Sequence, residues 1–144
     1  MTSSKIISMA LAAFSSLALE FQAVAASAQS AIWHPDQSLY PGFALRSGNW
    51  HTLLLQFDGN LVLYNPSGVA IWSTQTAGWG TPRVALMAGT VIKIFYTNDS
   101  IYTSQGLPNC VATCPAYLAV QDDGNLVMYA PGGVPAWSSG TWGQ

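Results

Sequence analysis

The sequence predicts an all-β domain made of short antiparallel strands. From Ala31 onward, short apolar runs are separated by Gly, Pro, Asn, Asp and Ser, which is typical of strands joined by turns. No segment in this part of the chain keeps a helical period of apolar residues. One nine-residue segment also occurs twice, 65 positions apart, and this indicates an internal repeat. The three observations together predict small sheets built from repeated units.

The first 28 residues are expected to be a secretory signal peptide and not part of the fold. Lys5 gives a short basic start, and residues 6–19 are mostly apolar and small. An apolar run of this length is too short to span a bilayer. Three small residues offer cleavage points: Ala25, Ala26 and Ala28. We favour Ala28, so that residues 29–144 form one secreted domain with no membrane span.

Charge is sparse in this chain. Charged residues make up 7% of it, apolar residues 50%, and the formal net charge is −2. Beyond the signal peptide the only cations are Arg46, Arg83 and Lys93, and they form no cluster in the sequence. Binding to phosphates needs several Lys or Arg on one surface, so nucleic acid and anionic membranes are not expected partners. A surface with so few charges favours association, and we expect a homo-oligomer.

The strands can be placed in order from turn residues. Residues 33–50 predict a turn, an edge strand and a further turn into the next strand. The Asp58-Gly59 step favours a tight hairpin, so residues 53–56 and 60–64 can pair across it. After the hairpin, the sequence predicts a turn at 65–68 and a strand at 69–74.

The repeat determines the architecture. Residues 56–74 align without a gap with residues 121–139. Shifting the first copy by 30 positions gives a degraded middle copy. In that alignment the positions of Gln, Asp, Asn, Val and Tyr in the other copies are taken by Leu86, Ala88, Thr90, Ile92 and Ile94. The predicted repeats are about 45–76, 77–105 and 106–144. Each is too small to bury its own face, so three sheets around a pseudo-threefold axis are expected.

One aromatic residue stands near the end of each repeat: Trp72, Tyr102 and Trp137. Large rings supply much of the buried area in a short chain, so we predict that these three meet near the axis as a shared core. The alternative is that they are exposed and stack on sugar rings. Their fixed place in the repeat, including the copy without polar residues, favours the core.

The repeated segment predicts a face of hydrogen-bonding side chains. Side chains alternate along a strand, so every second residue shares one face, while Phe57, Leu61 and Leu63 are predicted to face the core. The first copy of the row is Gln56, Asp58, Asn60, Val62 and Tyr64, and the last copy is Gln121, Asp123, Asn125, Val127 and Tyr129. Its carboxylate, two amides and phenol offer donors and acceptors suited to the adjacent hydroxyls of a sugar. A hairpin turn alone needs neither the Gln nor the Tyr, so a binding row is favoured over a purely structural turn.

The pattern Gln-x-Asp-x-Asn-x-Val-x-Tyr resembles that of the bulb-type mannose-binding lectins, over residues 33–143. The resemblance implies a β-prism II fold and binding of α-D-mannose without a metal. The two intact rows predict two sites, and the middle copy, which departs from the family pattern, predicts a degenerate third site. The resemblance also implies dimers that exchange C-terminal strands, which would give residues 138–144 a partner outside their own chain. In each site it assigns Gln to the mannose 3-hydroxyl, Asp and Asn to the axial 2-hydroxyl, Tyr to the 4-hydroxyl, and Val to the C3–C4 edge.

Two features bear on covalent modification. Cys110 and Cys114 are the only cysteines, and in a secreted chain a disulfide closing a small loop is favoured over free thiols. A metal pair is a weaker alternative, because a zinc site needs further Cys or His nearby and His34 and His51 lie far upstream. We expect no metal and no other cofactor. Residues 98–100 form an N-glycosylation sequon at Asn98.

Catalysis is not expected. Asp58 and Asp123 could suggest the carboxylate pair of a glycosidase, whose members stand roughly 5–10 Å apart. They occupy equivalent positions in different repeats, so pseudo-symmetry would place them on separate faces, and no nucleophile motif is visible. The alternative to a glycan-binding lectin is a lectin-like bacteriocin or toxin, or a defence or storage protein, in which sugar binding is secondary. Killing of intact target cells would distinguish these alternatives.

Overall fold

The computed structural model describes residues 31–88, 91–104 and 117–144. The predicted signal peptide, both cysteines and Thr90 lie outside these ranges. Regular structure in the described residues is entirely β, and no helix there is long and apolar enough to cross a membrane. The strands are β1 (Ile32–Trp33), β2 (Ser38–Leu39), β3 (Ala44–Arg46), β4 (Thr52–Leu55), β5 (Leu61–Tyr64), β6 (Ala70–Ser73), β7 (Pro82–Ala88), β8 (Val91–Tyr96), β9 (Ile101–Thr103), β10 (Tyr117–Val120), β11 (Leu126–Ala130) and β12 (Val134–Ser138).

These strands form three antiparallel sheets of four, which confirms the predicted fold class. We call them by the repeat that supplies most of each: the first sheet has the order β3-β4-β5-β6, the second β2-β7-β8-β9 and the third β1-β10-β11-β12. Three consecutive strands of every sheet come from one repeat. Each sheet therefore consists of three strands from one repeat and a fourth strand from another part of the chain.

The fourth strand of each sheet comes from the start of the domain. Strands β1, β2 and β3 follow one another along residues 32–46, yet they join the third, second and first sheets respectively. Their registers place Ile32 opposite Ala119 and Ala44 opposite Leu54. The sequence predicted one edge strand here, but this segment in fact ties all three sheets together.

The first and third repeats are equivalent in three dimensions as well as in sequence. Leu63 lies opposite Trp72, and Met128 lies opposite Trp137 in the same place. Both strand pairs then show a register shift after that residue, between Leu63 and Tyr64 and between Met128 and Tyr129. The offset of 65 positions found in the sequence therefore also relates the register shifts of the two sheets.

The register predicted for the middle repeat is wrong by one residue along β8. Ile94 pairs with Tyr102 as Leu63 pairs with Trp72, so Ile94 is the equivalent of a core leucine. Ile92 and Ile94 are both fully buried, whereas the predicted alignment placed them in the outward row. The residues that alternate with them along β8 are Val91, Lys93 and Phe95.

A shorter connection explains this error. The predicted offset of 30 holds at Trp72 and Tyr102, but between Leu63 and Trp72 of the first sheet lie eight residues. Between Ile94 and Tyr102, which are paired in the same way in the second sheet, lie only seven. Because side chains alternate along a strand, a shift of one residue exchanges the buried and outward faces.

The core lies where the inner faces of the sheets meet. Its buried residues are Trp33, Leu39, Leu45, Leu53, Leu55, Leu61, Leu63, Ala85, Ile92, Ile94, Tyr96, Leu118, Val120, Leu126 and Met128. Trp72, Tyr102 and Trp137 are partly buried and pack against this cluster. The predicted meeting of the three rings is seen for two of them: Trp72 and Trp137 lie edge to face with ring centroids 5.7 Å apart, whereas the described ring contact of Tyr102 is with Trp79, at 6.5 Å.

The first and third repeats are also joined by a loop before β4. The main-chain N–H of Asn49 donates to Asp122 Oδ1 at 2.8 Å, and Asn49 Nδ2 donates to the Asp122 main-chain oxygen at 3.1 Å. The buried ring of His51 bonds through Nε2 to the main-chain oxygen of Gln144 at 2.7 Å. These bonds hold the third hairpin and residues 139–144 against the first repeat.

Candidate functional site

The predicted row is divided between a turn and a strand. Strand β4 ends at Leu55 and β5 begins at Leu61, so the residues from Gln56 to Asn60 form the connection. The row was predicted from alternation along one continuous strand, and that reasoning was wrong for its first half. Phe57 shows the consequence, because it was predicted to face the core and is 69% exposed.

The connection is a tight turn, as the Asp-Gly step predicted. The N–H of Gly59 donates to the oxygen of Gln56 at 3.2 Å, and the N–H of Gln56 donates to the oxygen of Asn60 at 2.8 Å. Gly59 has φ +99°, a conformation that glycine adopts without a steric penalty. Asp58 Oδ1 accepts from the N–H of Asn60 at 3.0 Å, so one carboxylate oxygen is used inside the turn.

The turn of the third repeat has the same hydrogen bonds. The N–H of Gly124 donates to the oxygen of Gln121 at 3.1 Å, and Asp123 Oδ1 accepts from the N–H of Asn125 at 2.9 Å. The corresponding distances in the two turns differ by at most about a tenth of an ångström. The first-sheet site is the row Gln56, Asp58, Asn60, Val62 and Tyr64, and the third-sheet site is the row Gln121, Asp123, Asn125, Val127 and Tyr129.

A glutamine and a tyrosine meet across each site. Gln56 Nε2 donates to the hydroxyl of Tyr64 at 2.5 Å, and Gln121 Nε2 donates to the hydroxyl of Tyr129 at the same distance. Tyr64 pairs with Thr52, at the far end of the hairpin from Gln56. The two side chains must therefore lean toward each other over the outward face of the strands. This is consistent with the low exposure of the valine between them, which is 3% for Val62.

The asparagine of each site is anchored by its side-chain oxygen. Asn60 Oδ1 accepts from Thr74 Oγ1 at 3.1 Å and from the N–H of Thr76 at 3.2 Å. Thr76 Oγ1 in turn donates to the oxygen of Gly59 at 2.7 Å. The segment that follows β6 is thus bonded to the turn and holds the asparagine in one orientation.

The third-sheet site repeats this anchor with Ser139 and Thr141. Asn125 Oδ1 accepts from Ser139 Oγ and from the N–H of Thr141, both at 3.2 Å, and Thr141 Oγ1 donates to the oxygen of Gly124 at 2.7 Å. The sequence analysis missed these residues. A signal was present, because a hydroxyl residue followed two positions later by Thr occurs at 74–76 and again at 139–141, with the same offset of 65.

Each site retains free hydrogen-bonding capacity toward the outside. No described hydrogen bond uses the amide nitrogen of Asn60, the second carboxylate oxygen of Asp58 or the amide oxygen of Gln56. The Tyr64 hydroxyl accepts from Gln56, which leaves its own proton to donate. The site therefore presents both donors and acceptors, on groups whose orientation is already fixed.

The second sheet carries no such set. With the register seen in the structure, the outward residues of β8 are Val91, Lys93 and Phe95, and none of them supplies a carboxylate or an amide. One element of the anchor persists: Ser104 Oγ accepts from the N–H of Ile92 at 2.8 Å, as Thr74 Oγ1 accepts from that of Leu61.

The acidic residues of the two sites belong to different sheets. Asp58 lies in the turn between β4 and β5, and Asp123 in the turn between β10 and β11. Within residues 31–88, 91–104 and 117–144, no three His, Cys, Asp or Glu side chains group closely enough to hold a metal ion. The chemistry that the sites offer is hydrogen bonding by the free amide, carboxylate and phenol groups to a polar ligand.

No protein-family model and no curated protein matches the chain, but solved structures do. A monomeric monocot mannose-binding lectin from Gastrodia elata is 27% identical, with a TM-score of 0.67 over 78% of this chain and 99% of the lectin. A Remusatia vivipara lectin is 27% identical, with a TM-score of 0.59 over 72% and 90%. Tarin, solved with bound trimannose, is 25% identical, with a TM-score of 0.59 over 72% and 91%.

The chain has the β-prism fold of these lectins. The predicted three-sheet architecture is confirmed by this similarity as well as by the sheets themselves. Lectins bind carbohydrate without transforming it, in agreement with the prediction that the chain is not an enzyme.

Proposed function

We propose that this protein is a lectin that binds α-D-mannose, or glycans containing it, through the first-sheet and third-sheet sites. The observation that carries the proposal is the recurrence of one constellation in two sheets: a Gln–Tyr pair at 2.5 Å beside an Asp and an anchored Asn. The bonds that orient these groups recur in both sheets, whereas the second sheet has lost the constellation. The lectins with bound or named mannose among the similar structures support this ligand.

The site chemistry accounts for the choice of mannose. The unused oxygen of Asp58 accepts and the unused nitrogen of Asn60 donates, so a hydroxyl placed between them satisfies both groups. In the assignment that the resemblance implies, this is the axial 2-hydroxyl of mannose. Glucose carries that hydroxyl equatorially and would leave the groups unpaired, at a cost of roughly 1–3 kcal/mol for each.

The binding mode needs neither a metal nor another cofactor, because every group that we assign to the sugar belongs to Gln, Asp, Asn, Val or Tyr. Val62 is only 3% exposed and Val127 4%, so contact with the C3–C4 edge is limited to a few atoms. Specificity therefore rests mainly on the polar groups. The natural partners would be mannose-containing glycoproteins outside the cell, which fits the predicted signal peptide.

We also propose that the protein acts as an oligomer, because two weak sites per chain gain avidity when chains associate. Exchange of the C-terminal segment is the route implied by the resemblance. Within one chain, that segment already bonds to its own third sheet, from Ser139 N–H to the oxygen of Leu126 at 2.9 Å and from Gly143 N–H to that of Asp123. An exchanged dimer would make the same bonds to the partner.

The test is a calorimetric titration of the mature protein with methyl α-D-mannoside, with the glucoside and galactoside as comparisons. We expect two sites per chain for mannose, weaker binding of glucose and no heat with galactose. In the double variant Tyr64→Phe, Tyr129→Phe, mannose affinity should fall by about two- to tenfold, because each site loses one hydrogen bond.

Tyr40→Phe provides the matched control, since Tyr40 is exposed and belongs to neither site. Its affinity for mannose should equal that of the wild type. A folded protein that gives no heat with any of these sugars would refute the proposed function while leaving the fold unaffected.

A further inference from the structure

The two sites differ on one flank, next to the tyrosine. In the third sheet, the residue directly opposite Tyr129 is Tyr117. The two rings are stacked, with centroids 5.1 Å apart and planes inclined by 22°. In the first sheet, the residue directly opposite Tyr64 is Thr52. The sites thus share their five residues but not the neighbour of the phenol.

Thr52 does not replace this contact. Its hydroxyl donates to the oxygen of Trp50 at 3.1 Å and accepts from Arg46 Nε at 3.2 Å. The hydroxyl proton is therefore committed to the loop before β4. In the part of the chain that the structure describes, Tyr64 contacts no other aromatic ring, so the hydrogen bond from Gln56 is the restraint that it shares with Tyr129 and stacking is the one that it lacks.

Tyr117 is itself supported from its far side. The ring of His34 lies 6.2 Å from that of Tyr117, centroid to centroid, at an angle of 46°. His34 is fixed at the start of a turn, where its oxygen accepts from the N–H of Gln37 at 3.0 Å and its N–H donates to Gln37 Oε1 at 3.1 Å. The fully buried Trp33 anchors the same turn through Nε1, which donates to the Gln37 oxygen at 2.9 Å.

We propose that Tyr117 is a positioning residue that makes the third-sheet site the tighter of the two. Stacking restricts the ring of Tyr129, and the bond from Gln121 fixes its hydroxyl, before any ligand arrives. Tyr64 has only the second of these restraints, so it loses more side-chain freedom on binding. Stacking of an aromatic pair, or immobilisation of a side chain before binding, changes the binding free energy by an amount that corresponds to about three- to tenfold in affinity. The inference rests on the proposed sugar-binding function.

Single-site proteins test this inference. The pair Gln121→Ala, Tyr129→Phe leaves the first-sheet site intact, and Gln56→Ala, Tyr64→Phe leaves the third-sheet site intact. Titration with methyl α-D-mannoside should show about three- to tenfold tighter binding at the third-sheet site. Equal affinities, or tighter binding at the first-sheet site, would overturn the inference.

Variants of Tyr117 separate positioning from a general structural role. In the protein that retains the third-sheet site, Tyr117→Thr should lower affinity to the level of the first-sheet site, and Tyr117→Phe, which keeps the stacked ring, should preserve it. In the protein that retains the first-sheet site, Tyr117→Thr should change nothing. Loss of affinity in Tyr117→Phe as well, or unchanged affinity in Tyr117→Thr, would exclude the positioning role.

A ligand-free measurement distinguishes failure of this inference from failure of the proposed function. Ring-carbon NMR relaxation of tyrosine-labelled protein should show Tyr129 more ordered than Tyr64, and Tyr117→Thr should remove the difference. If the folded protein binds no sugar, the proposed function falls and the claim of a tighter site falls with it. If sugar binds but the two rings are equally ordered, the function stands and the role of Tyr117 is overturned.

Discussion

In Asn60 and Asn125, the side-chain oxygen is hydrogen-bonded within the fold and the side-chain nitrogen is free to face outward. The oxygen of Asn60 accepts from Thr74 and Thr76, both of which are buried. The nitrogen is left for a ligand. The same side chain thus orients the turn and supplies the donor, which explains why an asparagine recurs at this position of the first and third repeats.

Asn60→Ala should destabilise the protein, and not merely remove a sugar contact. The N–H of Thr76 and the hydroxyl of Thr74 would lose their acceptor, at a cost of about 1–3 kcal/mol in the free energy of unfolding. Asn60→Asp keeps an oxygen acceptor and removes the outward donor, so it should cost less stability and still weaken mannose binding. Urea unfolding and calorimetric titration of both variants measure the two effects.

The sequence analysis assigned the asparagine to the sugar and did not identify its role in the turn. An unchanged free energy of unfolding in Asn60→Ala would exclude a role for the asparagine in folding. The pattern located the asparagine correctly, but it could not show where the amide oxygen points. That depends on Thr76, which lies 16 residues further along the chain.

At the scale of the element, the turn that carries each site is packed too tightly for any side chain at its glycine. A Cβ added to Gly59 would stand 2.7 Å from the oxygen of Gly80 and 3.0 Å from that of Thr76. A Cβ added to Gly124 would stand 2.8 Å from the ring of His51. The glycine of the Asp-Gly-Asn segment is therefore required by close approach as well as by its positive φ.

Gly59→Ala and Gly68→Ala form a matched pair that separates these two requirements. Both residues have positive φ, +99° and +79°, but a Cβ at Gly68 would meet nothing within 4 Å. Gly68→Ala should cost about 1–2 kcal/mol from backbone strain alone, and Gly59→Ala about 1–3 kcal/mol more from overpacking. Equal losses in thermal or urea unfolding would show that close approach does not matter at Gly59.

The register of β8 shows how far a pattern can be trusted along an element. Alternation correctly placed Leu61 and Leu63 in the core, because both lie within one uninterrupted strand. It failed across the turn at Phe57 and in the middle repeat, where the connection from β8 to β9 is one residue shorter than that from β5 to β6. Side-chain period is a local property, so it does not survive a change in the length of a connection.

At the scale of the whole molecule, Tyr96 joins the second repeat to the first-sheet site. Its buried hydroxyl donates to the oxygen of Gly59 at 2.8 Å, across the boundary between two sheets. Burial raises the pKa of Tyr96 above its ordinary value of 10.0; a hydrogen bond with Thr76 lowers that pKa, and the charge of Asp58 raises it further. The neutral phenol is therefore the form that the fold favours.

The protein should lose stability in alkali partly through this tyrosine. A pKa raised by folding means that the unfolded chain loses its proton first, so the contribution is fully present below about pH 10 and is lost as pH rises through the folded-state pKa. Tyr96→Phe removes the bond and should cost about 0.5–1.5 kcal/mol at neutral pH. The difference in unfolding free energy between wild type and variant should then narrow above about pH 10.

Urea unfolding of both proteins from neutral to alkaline pH measures this narrowing. Burial raises the pKa of Tyr102, and the charge of ionised Tyr96 raises it further, so the difference between the two proteins also includes this coupling between the two tyrosines. A difference that stays constant to the highest pH at which the protein folds would contradict a role for Tyr96 ionisation.

The sequence alone determined that the chain is all-β, that its repeats make three sheets, and which ten residues form the two candidate sites. These features follow from local turn chemistry and from recurrence at a fixed offset, both of which are visible along the chain. The tertiary structure alone decided how β1, β2 and β3 are distributed, how the asparagines are anchored, and that Tyr117 stacks on Tyr129. Such features depend on contacts between segments far apart in sequence, and the recurring hydroxyl residues at 74–76 and 139–141 become interpretable only when those contacts are known.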